Sequence, residues 1–288
     1  MSFRQITHLL FFLRILYLFY KVKYMARRIV ITSGKGGVGK TTVCVNLGTQ
    51  LSKMGKKVLI VDADFGLNNL DIVMGIENKI VYDIYDIIQG KCRARQAIVN
   101  DFFNDNLYVL PATKCAFKPA ITNESLKGII DEVDTHFDYV LFDCPAGVDN
   151  GFLRAVCLAY EAIIVTTPHI SAVRDAEKVC NILKTMGIDI LNIVINRARG
   201  DLMISGESLS ITSIVDFLDA KLIGVVPEDD EINNQLLVGG EVTTGSQAYI
   251  SFKKIAKMIV YGKEDIYDVM KKYKGAIGLI RRKLKKII

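Results

Sequence analysis

A glycine-rich stretch near the start of the chain limits the folds open to it more than any other feature. Residues 34–42 read GKGGVGKTT, which matches the pattern G-x-x-x-x-G-K-[ST]. An apolar run, Arg28–Ser33 (RIVITS), precedes the stretch, and a helical pattern, Gly39–Met54, follows it. This pattern binds phosphate when a strand precedes it and a helix follows it. The sequence therefore predicts a phosphate-binding loop after the first strand of an α/β domain.

The chemistry of such a loop explains its residue types. Glycines let the backbone turn so that successive N–H groups converge on phosphate oxygens, and the helix N-terminus adds its dipole. Lys40 is expected to reach the β- and γ-phosphates, and the Thr41 hydroxyl to ligate Mg²⁺. The predicted nucleotide contacts are Gly34, Lys35, Gly36, Gly37, Val38, Gly39, Lys40, Thr41 and Thr42. A glycine-rich turn without a ligand is the alternative, which the strand and helix on either side disfavour.

Further apolar runs alternate with helical patterns along the chain. The predicted strands are Lys57–Asp62, Leu107–Leu110, Tyr139–Asp143, Ala162–Thr166, Ile190–Asn196 and Lys221–Val226. Continuous Val, Ile and Leu runs separated by helices indicate a parallel sheet that is covered on both faces. The sequence thus predicts a doubly wound, mostly parallel α/β fold, in one domain over residues 25–262.

Lys35 makes the loop more specific. A second lysine early in the loop is the mark of the deviant Walker A ATPases, and the sequence resembles the MinD/ParA family of that group. The resemblance covers about residues 26–288. It implies an ATPase that uses ATP and Mg²⁺ and forms a homodimer with ATP, in which Lys35 contacts phosphates across the two subunits. It also implies that Lys35, Lys40 and Asp64 are catalytic.

Two acidic segments extend the resemblance. Residues 62–71 (DADFGLNNLD) resemble the family's switch I, and residues 142–147 (FDCPAG) resemble Walker B and switch II. The resemblance implies that Asp64 orients the attacking water and that Asp62 and Asp143 lie near Mg²⁺. The residues agree, because carboxylates at the carboxyl ends of strands lie where α/β proteins bind ligands. A capped turn is the alternative for switch I, and Asn68 stands where the family often has a basic residue.

Residues at two later strand ends resemble the family's adenine site. Asn196 corresponds to the asparagine that reads the base, and Pro227, Glu228 and Asp229 correspond to the loop that lines it. These residue types are also common in ordinary turns, so each match by itself is weak.

The segment Ser171–Asp175 (SAVRD) resembles a helix start in the family whose aspartate pairs with the signature lysine at rest. The resemblance implies that Asp175 pairs with Lys35, and that Arg174 and Asp175 border the surface for MinC and MinE. An ordinary first-turn acid, favoured by the helix dipole, is the alternative for Asp175.

The two ends of the chain differ from its middle in charge. Residues 1–24 carry four basic groups and no acid, and residues 269–288 carry eight and none. The middle holds 25 basic groups against 31 acids, so a body that binds nucleic acid is not favoured. We interpret residues 1–24 as an extension outside the fold, because Arg14 interrupts their apolar run. A membrane or targeting segment is the alternative.

The basic tail has the pattern of an amphipathic helix. Residues 263–288 are predicted to form a membrane-targeting helix that lies in an anionic lipid interface. Its lipid contacts are expected to include Ile277, Ile280, Leu284, Ile287, Lys283 and Lys285. A C-terminal helix docked on the body, with its lysines solvated, is the alternative.

These features together predict an ATP-driven switch that is cytoplasmic and peripheral on the inner face of the cell membrane. The resemblance implies a MinC-like division inhibitor and a MinE-like or other regulator as partners. A ParA-like DNA-partitioning ATPase and a flagellar-placement ATPase remain the rivals. An iron–sulfur carrier of the same superfamily would need paired cysteines, and the six cysteines form no C-x-x-C pair.

Overall fold

A computed structural model describes residues 25–64, 70–112, 121–275 and 278. In this part of the chain eight strands form one sheet in the order β3-β4-β2-β5-β1-β6-β7-β8. All neighbouring strands run parallel except β3 and β4, which pair antiparallel at one edge. The strands are β1 Arg27–Thr32, β2 Val58–Asp62, β3 Val99–Asn100, β4 Leu107–Leu110, β5 Tyr139–Asp143, β6 Glu161–Thr166, β7 Ile190–Ala198 and β8 Lys221–Pro227.

Helices cover both faces of this sheet. They are α1 Lys40–Lys53, α2 Leu70–Met74, α3 Ile84–Ile88, α4 Ala94–Ala97, α5 Asn123–Val133, α6 Asn150–Val156, α7 Ile170–Thr185, α8 Gly200–Ser205, α9 Ile211–Leu218, α10 Asp230–Val238 and α11 Gln247–Tyr261. Short 3₁₀ turns occur at Glu77–Lys79, Asp134–His136 and Lys271–Tyr273.

Two apolar cores lie on opposite faces of the sheet. One contains Leu47 of α1 and Phe252 of α11, and the other contains Ile130 of α5, Phe152 of α6 and Val179 of α7. The central strands are buried on both sides, which explains their continuous Val, Ile and Leu runs. The predicted doubly wound α/β fold is confirmed.

The strand limits differ little from the predicted ones. β1 and β6 begin one residue earlier than predicted, and β7 and β8 continue past Asn196 and Val226. The short edge strand β3 was not predicted. It has two residues, too few to give a sequence period, and it exists because it pairs with β4.

The segment after α11 corrects the start of the helix predicted over residues 263–288, whereas positions 275 and 278, the described ones beyond it, are helical. α11 ends at Tyr261, because Gly262 after it has a positive φ of 67°, and residues 263–274 form no α-helix. Val269 and Tyr273 are buried against the body instead of lining an apolar helix face. A Cβ on Gly200 of α8 would lie only 2.1 Å from the Val269 carbonyl oxygen, so this segment packs tightly on the domain. We call residues 263–275 the C-terminal strap.

The rest of the predicted tail lies outside the described residues. This includes the six expected lipid contacts, Ile277, Ile280, Lys283, Leu284, Lys285 and Ile287. The N-terminal extension of 24 residues and Asn68 of switch I also lie outside them. Among the helices that the structure does describe, none has the length and apolar character needed to cross a bilayer.

Candidate functional site

A cavity of about 520 Å³ opens where β1, β2 and β5 end. The glycine loop forms one wall of this cavity, and the carboxylates at the ends of β2 and β5 form another. Its polar lining comprises Gly36, Gly37, Gly39, Lys40, Thr41, Thr42, Asp62, Asp64, Asp143 and Arg197. The structure therefore brings the predicted loop together with the predicted switch I and Walker B carboxylates.

Sheet register places the two acidic strand ends side by side. Asp62 of β2 and Asp143 of β5 are Cα partners in the parallel ladder. Asp62 then turns the chain, because its Oδ1 accepts a 3.0 Å hydrogen bond from the backbone N–H of Asp64. The carboxylates sit at the carboxyl rim of a parallel sheet, where doubly wound folds bind ligands.

The glycine loop is shaped by two close approaches. Gly39, just before α1, has a φ of +95°, which side chains other than glycine rarely adopt. A Cβ there would also lie 2.3 Å from the Nδ2 atom of Asn196. A Cβ on Gly34 would lie 2.2 Å from the backbone oxygen of Asp175 in α7. The loop can adopt this conformation only with glycine at both positions.

Burial shifts the ionisation of the charged groups around the loop. Burial lowers the pKa of Lys40, and the charge of Asp143 opposes that shift. Burial raises the pKa of Asp143 to about 6, while a hydrogen bond from Thr41 and the charge of Lys40 oppose the rise. Burial and then the charge of Asp143 raise the pKa of Asp62. The surrounding residues therefore do not supply enough opposite charge to keep Lys40, Asp62 and Asp143 fully ionised.

The arrangement fits a nucleotide with Mg²⁺. The Oδ1 atom of Asp143 is buried without a hydrogen-bond partner in the described structure, and Thr41 lines the same cavity. Hydroxyl and carboxylate oxygens are the ligands that Mg²⁺ prefers. No cluster of three His, Cys, Asp or Glu side chains in the described residues could hold a metal alone. A Mg²⁺ ion would take its remaining ligands from phosphate oxygens and water, as is usual for Mg²⁺.

Asn196 lies beneath the glycine loop. It is buried, and its Nδ2 atom donates a 2.9 Å hydrogen bond to the carbonyl oxygen of Val38. Its Oδ1 atom has no partner among the described residues. Asn196 therefore supports the loop directly, a contact that its position at a strand end did not reveal.

The other residues predicted for the base share the rim of the sheet with the phosphate cavity but do not line it. Glu228 lies 3.6 Å from Arg199. The Asp229 carboxylate accepts from the backbone N–H groups of Glu231 and Ala248, at 3.2 and 2.8 Å. Asp229 thus caps α10 and the first turn of α11, and Pro227 ends β8.

The predicted resting pair between Lys35 and Asp175 is wrong for this structure. The exposed Lys35 ammonium lies 3.3 Å from the Ser171 hydroxyl. The Asp175 carboxylate pairs instead with Lys178, one helical turn along α7, at 3.1 Å. The backbone of Asp175 packs against Gly34 of the loop, and its side chain is therefore free to pair with Lys178. Arg174, predicted for the partner surface with Asp175, is exposed.

Arg197 is the polar cavity residue that the sequence prediction missed. It lines the phosphate cavity and adopts a positive φ of 53°, uncommon for a residue with a Cβ. Its position directly after Asn196, at the end of β7, is the signal that could have identified it. The arginine adds a second cationic side chain to the cavity, beside Lys40.

Comparisons with known proteins agree with this site. A family model described as NUBPL iron-transfer P-loop NTPase matches residues 24–260. The septum site-determining protein MinD of Bacillus subtilis is 42% identical over 261 residues, which are 89% of this chain and 97% of that protein. MinD of Thermotoga maritima is 41% identical over 239 residues, 82% of this chain and 88% of that protein.

Solved structures give the same result. The MinC:MinD cell division protein complex of Aquifex aeolicus matches with a TM-score of 0.77 and 38% identity, over 83% of this chain and 97% of that chain. MinD complexed with Mg-ADP from Pyrococcus horikoshii matches with a TM-score of 0.72 and 33% identity, over 82% and 97%. The resemblance predicted from the glycine loop is confirmed, and the chain belongs to the MinD proteins of the MinD/ParA family of P-loop ATPases.

Proposed function

We propose that this chain hydrolyses ATP with Mg²⁺ as a switch that dimerises, binds the membrane and places the division site. The observation that carries the proposal is the single cavity lined by Thr41, Asp143 and the buried Lys40 at the end of the glycine loop. A hydroxyl, a carboxylate and a desolvated ammonium together match the groups that hold Mg²⁺ and the β- and γ-phosphates in P-loop ATPases.

The charges of the cavity support binding of the Mg²⁺ nucleotide as a unit. Burial removes water from the Lys40 ammonium, and contact with phosphate oxygens would replace the lost hydration. Asp143 and Asp62, whose pKa values burial raises, would regain their ionised form beside a divalent cation. Mg²⁺ supplies charge neutralisation for the departing phosphate when it is bound.

Asp64 is the residue we assign to the attacking water. It lines the cavity, and its backbone is held by the 3.0 Å bond to Asp62. Asp62 is thereby a positioning residue for Asp64 as well as a member of the metal environment. A carboxylate held at this rim can accept a hydrogen bond from water aligned with the γ-phosphate.

Lys35 is assigned to the phosphates of a second subunit. It is exposed, and its ammonium contacts the Ser171 hydroxyl at 3.3 Å, a weak interaction. A long side chain so loosely held at the rim of the cavity can reach outward when a second copy approaches. A cation supplied across an interface stabilises charge in phosphoryl transfer, as arginine fingers do. Hydrolysis then depends on dimerisation.

The membrane step rests on the sequence of the tail. Residues 276–288 carry five basic groups and no acid, interspersed with Ile and Leu. Such a segment binds an anionic interface weakly alone, and two copies in one dimer bind with avidity. ATP would therefore favour the membrane-bound state by favouring the dimer. The resulting localisation is cytoplasmic and, with ATP, peripheral on the inner face of the membrane.

The division role follows from the relatives. The Bacillus subtilis and Thermotoga maritima relatives are septum site-determining proteins, and one structural neighbour is a complex of MinD with MinC. We assign a MinC-like inhibitor and a MinE-like or other regulator as partners, at the surface around Arg174 and Asp175. That surface adjoins the glycine loop through Gly34, so a partner there would sense the dimer and its nucleotide.

The test of the ATPase is a pair of variants measured with anionic vesicles and saturating Mg²⁺-ATP. Asp64→Asn should keep nucleotide affinity and lose hydrolysis by about 100-fold or more. Asp216→Asn, which changes an exposed carboxylate on α9, should hydrolyse like the parent. Equal rates in the parent and Asp64→Asn would contradict the assignment.

A further inference from the structure

One face of α11 carries lysines and no acid. The helix sequence is QAYISFKKIAKMIVY. Ile250, Lys253, Lys257 and Tyr261 are spaced by three or four residues, so they share one side of the helix. All four are exposed, Tyr261 at 66% and Ile250 at 38%. Large apolar groups and cations thus stand together in solvent.

The C-terminal strap extends this face. Ile250 and Lys254 of α11 line a cavity of about 580 Å³ together with Ile266, Lys271 and Lys272. Tyr267 also lines it, and its hydroxyl lies 3.2 Å from the Gln247 side chain. The strap therefore continues the helix surface towards residues 276–288, the remaining part of the predicted tail.

The three acids of the strap lie beside lysines. Glu264 is 4.0 Å from Lys221 of β8. Asp265 pairs with Lys254, and Asp268 pairs with Lys274. In contrast, Lys253, Lys257 and Lys271 have no carboxylate partner within the part of the chain that the structure describes. Three positive charges on this face are therefore left without a counter-charge from the protein.

The charge of this region opposes that of the rest of the domain. Residues 247–275 carry seven basic groups against three acids, whereas residues 25–246 carry 21 against 28. Because of this charge asymmetry, a negatively charged surface would attract α11 and the strap and repel the rest of the domain. A helix of ordinary solvated surface would mix the two signs.

We propose that this surface, the α11 face, is a second membrane contact that lies flat on anionic lipid beside the tail. The α11 face comprises Ile250, Lys253, Lys257, Tyr261, Ile266 and Lys271. The inference rests on the proposed membrane binding and adds to it a surface of the folded body, which fixes how the domain is oriented. Lysine ammonium groups meet lipid phosphates, and Tyr261 and the two isoleucines enter the headgroup layer.

The occupant is argued from charge and continuity. The tail itself carries five basic groups in residues 276–288, so docking it on a lysine-rich surface would bring like charges together. An anionic bilayer attracts both, and the strap joins them within a few residues. Each basic group near an anionic leaflet contributes about fivefold in affinity, the factor that ~1 kcal/mol represents.

The first test measures sedimentation of the full chain with phosphatidylglycerol-containing vesicles and ATP. Lys253→Gln/Lys257→Gln should weaken binding by about 5- to 25-fold. The matched control, Lys127→Gln/Lys184→Gln, removes two exposed lysines from α5 and α7 and should bind within about twofold of the parent. If the α11 variant binds like this control, the inference fails while the tail-driven membrane binding stands.

A spectroscopic test reads the contact directly. The chain has no tryptophan, so Tyr261→Trp introduces a single tryptophan on the α11 face, which can be excited selectively over the tyrosines. Its emission should shift to the blue when vesicles and ATP are added. Phe217→Trp, on exposed α9 across the sheet, should show no shift. Protein that pellets with vesicles without a shift at position 261 overturns the inference. A parent that does not pellet at all overturns the membrane proposal and the inference with it.

Discussion

The Lys35 ammonium lies 3.3 Å from the Ser171 hydroxyl, not at the Asp175 carboxylate. Because the resting contact of Lys35 is with Ser171, variants of these two residues can distinguish a structural role of Lys35 from a role across a dimer. Lys35→Ala should leave nucleotide affinity of the monomer within about threefold and lower kcat by about 10²–10³-fold, because it removes a cation from the transition state. Ser171→Ala, which removes only the resting contact, should keep kcat. Similar losses in both variants would show that the resting contact matters instead.

Gly39 offers a test of the loop geometry. Gly39→Ala must accept a positive φ of 95° and a Cβ 2.3 Å from Asn196, so the hydrogen bond to Val38 should break. Gly55→Ala has a similar φ of 77° but meets no atom within 4 Å. Urea unfolding should show a loss of about 1–2 kcal/mol for Gly55→Ala and more for Gly39→Ala. Only Gly39→Ala should also weaken nucleotide binding.

The raised pKa of Asp143 predicts that the stability of the nucleotide-free protein, measured with EDTA, depends on pH. Its pKa is raised by burial from 3.8 to about 6, so the folded state binds more protons than the unfolded state between these values. Stability should therefore fall as the pH rises through this window, by roughly 2–3 kcal/mol from this group. Asp143→Asn should remove that fall and be the more stable protein at pH 8. A parent that gains stability over the same window, relative to Asp143→Asn, would contradict this assignment.

Tyr273 tests whether the strap belongs to the folded domain. It is buried, whereas Tyr261, twelve residues earlier on α11, is mostly exposed. Tyr273→Ala should lower the free energy of unfolding by about 2–4 kcal/mol, and Tyr261→Ala by less than about 1 kcal/mol. Urea unfolding with intrinsic fluorescence measures both. Equal small losses would mean that the strap contributes nothing to stability.

Prediction from the sequence succeeded where local chemistry decides the structure. The glycine loop, the buried strands and the acids at Asp62 and Asp143 depend on spacing within one segment, and the sheet then brings the segments together. The two-residue edge strand β3 gave no period to detect.

Side-chain partners depend on tertiary packing and were less predictable. Gly34 packs against the backbone of Asp175, and the Asp175 carboxylate pairs with Lys178. At the end of β7, Asn196 lies under the glycine loop and Arg197 lines the cavity. The strap misled the prediction because Ile266, Met270 and Tyr273 have helical spacing. Tyr273 is nevertheless an anchor on the domain, since Gly262 has already ended the helix.

The most direct test of the account is sedimentation with anionic vesicles under ATP and under ADP. It compares the full chain with a chain that ends at Gly275, which keeps the buried Val269 and Tyr273 that anchor the strap on the domain. The full chain should pellet with ATP and remain in the supernatant with ADP, and the shortened chain should pellet at least about 10-fold less with ATP. Equal pelleting of the two chains, or pelleting that ignores the nucleotide, would contradict the proposed switch.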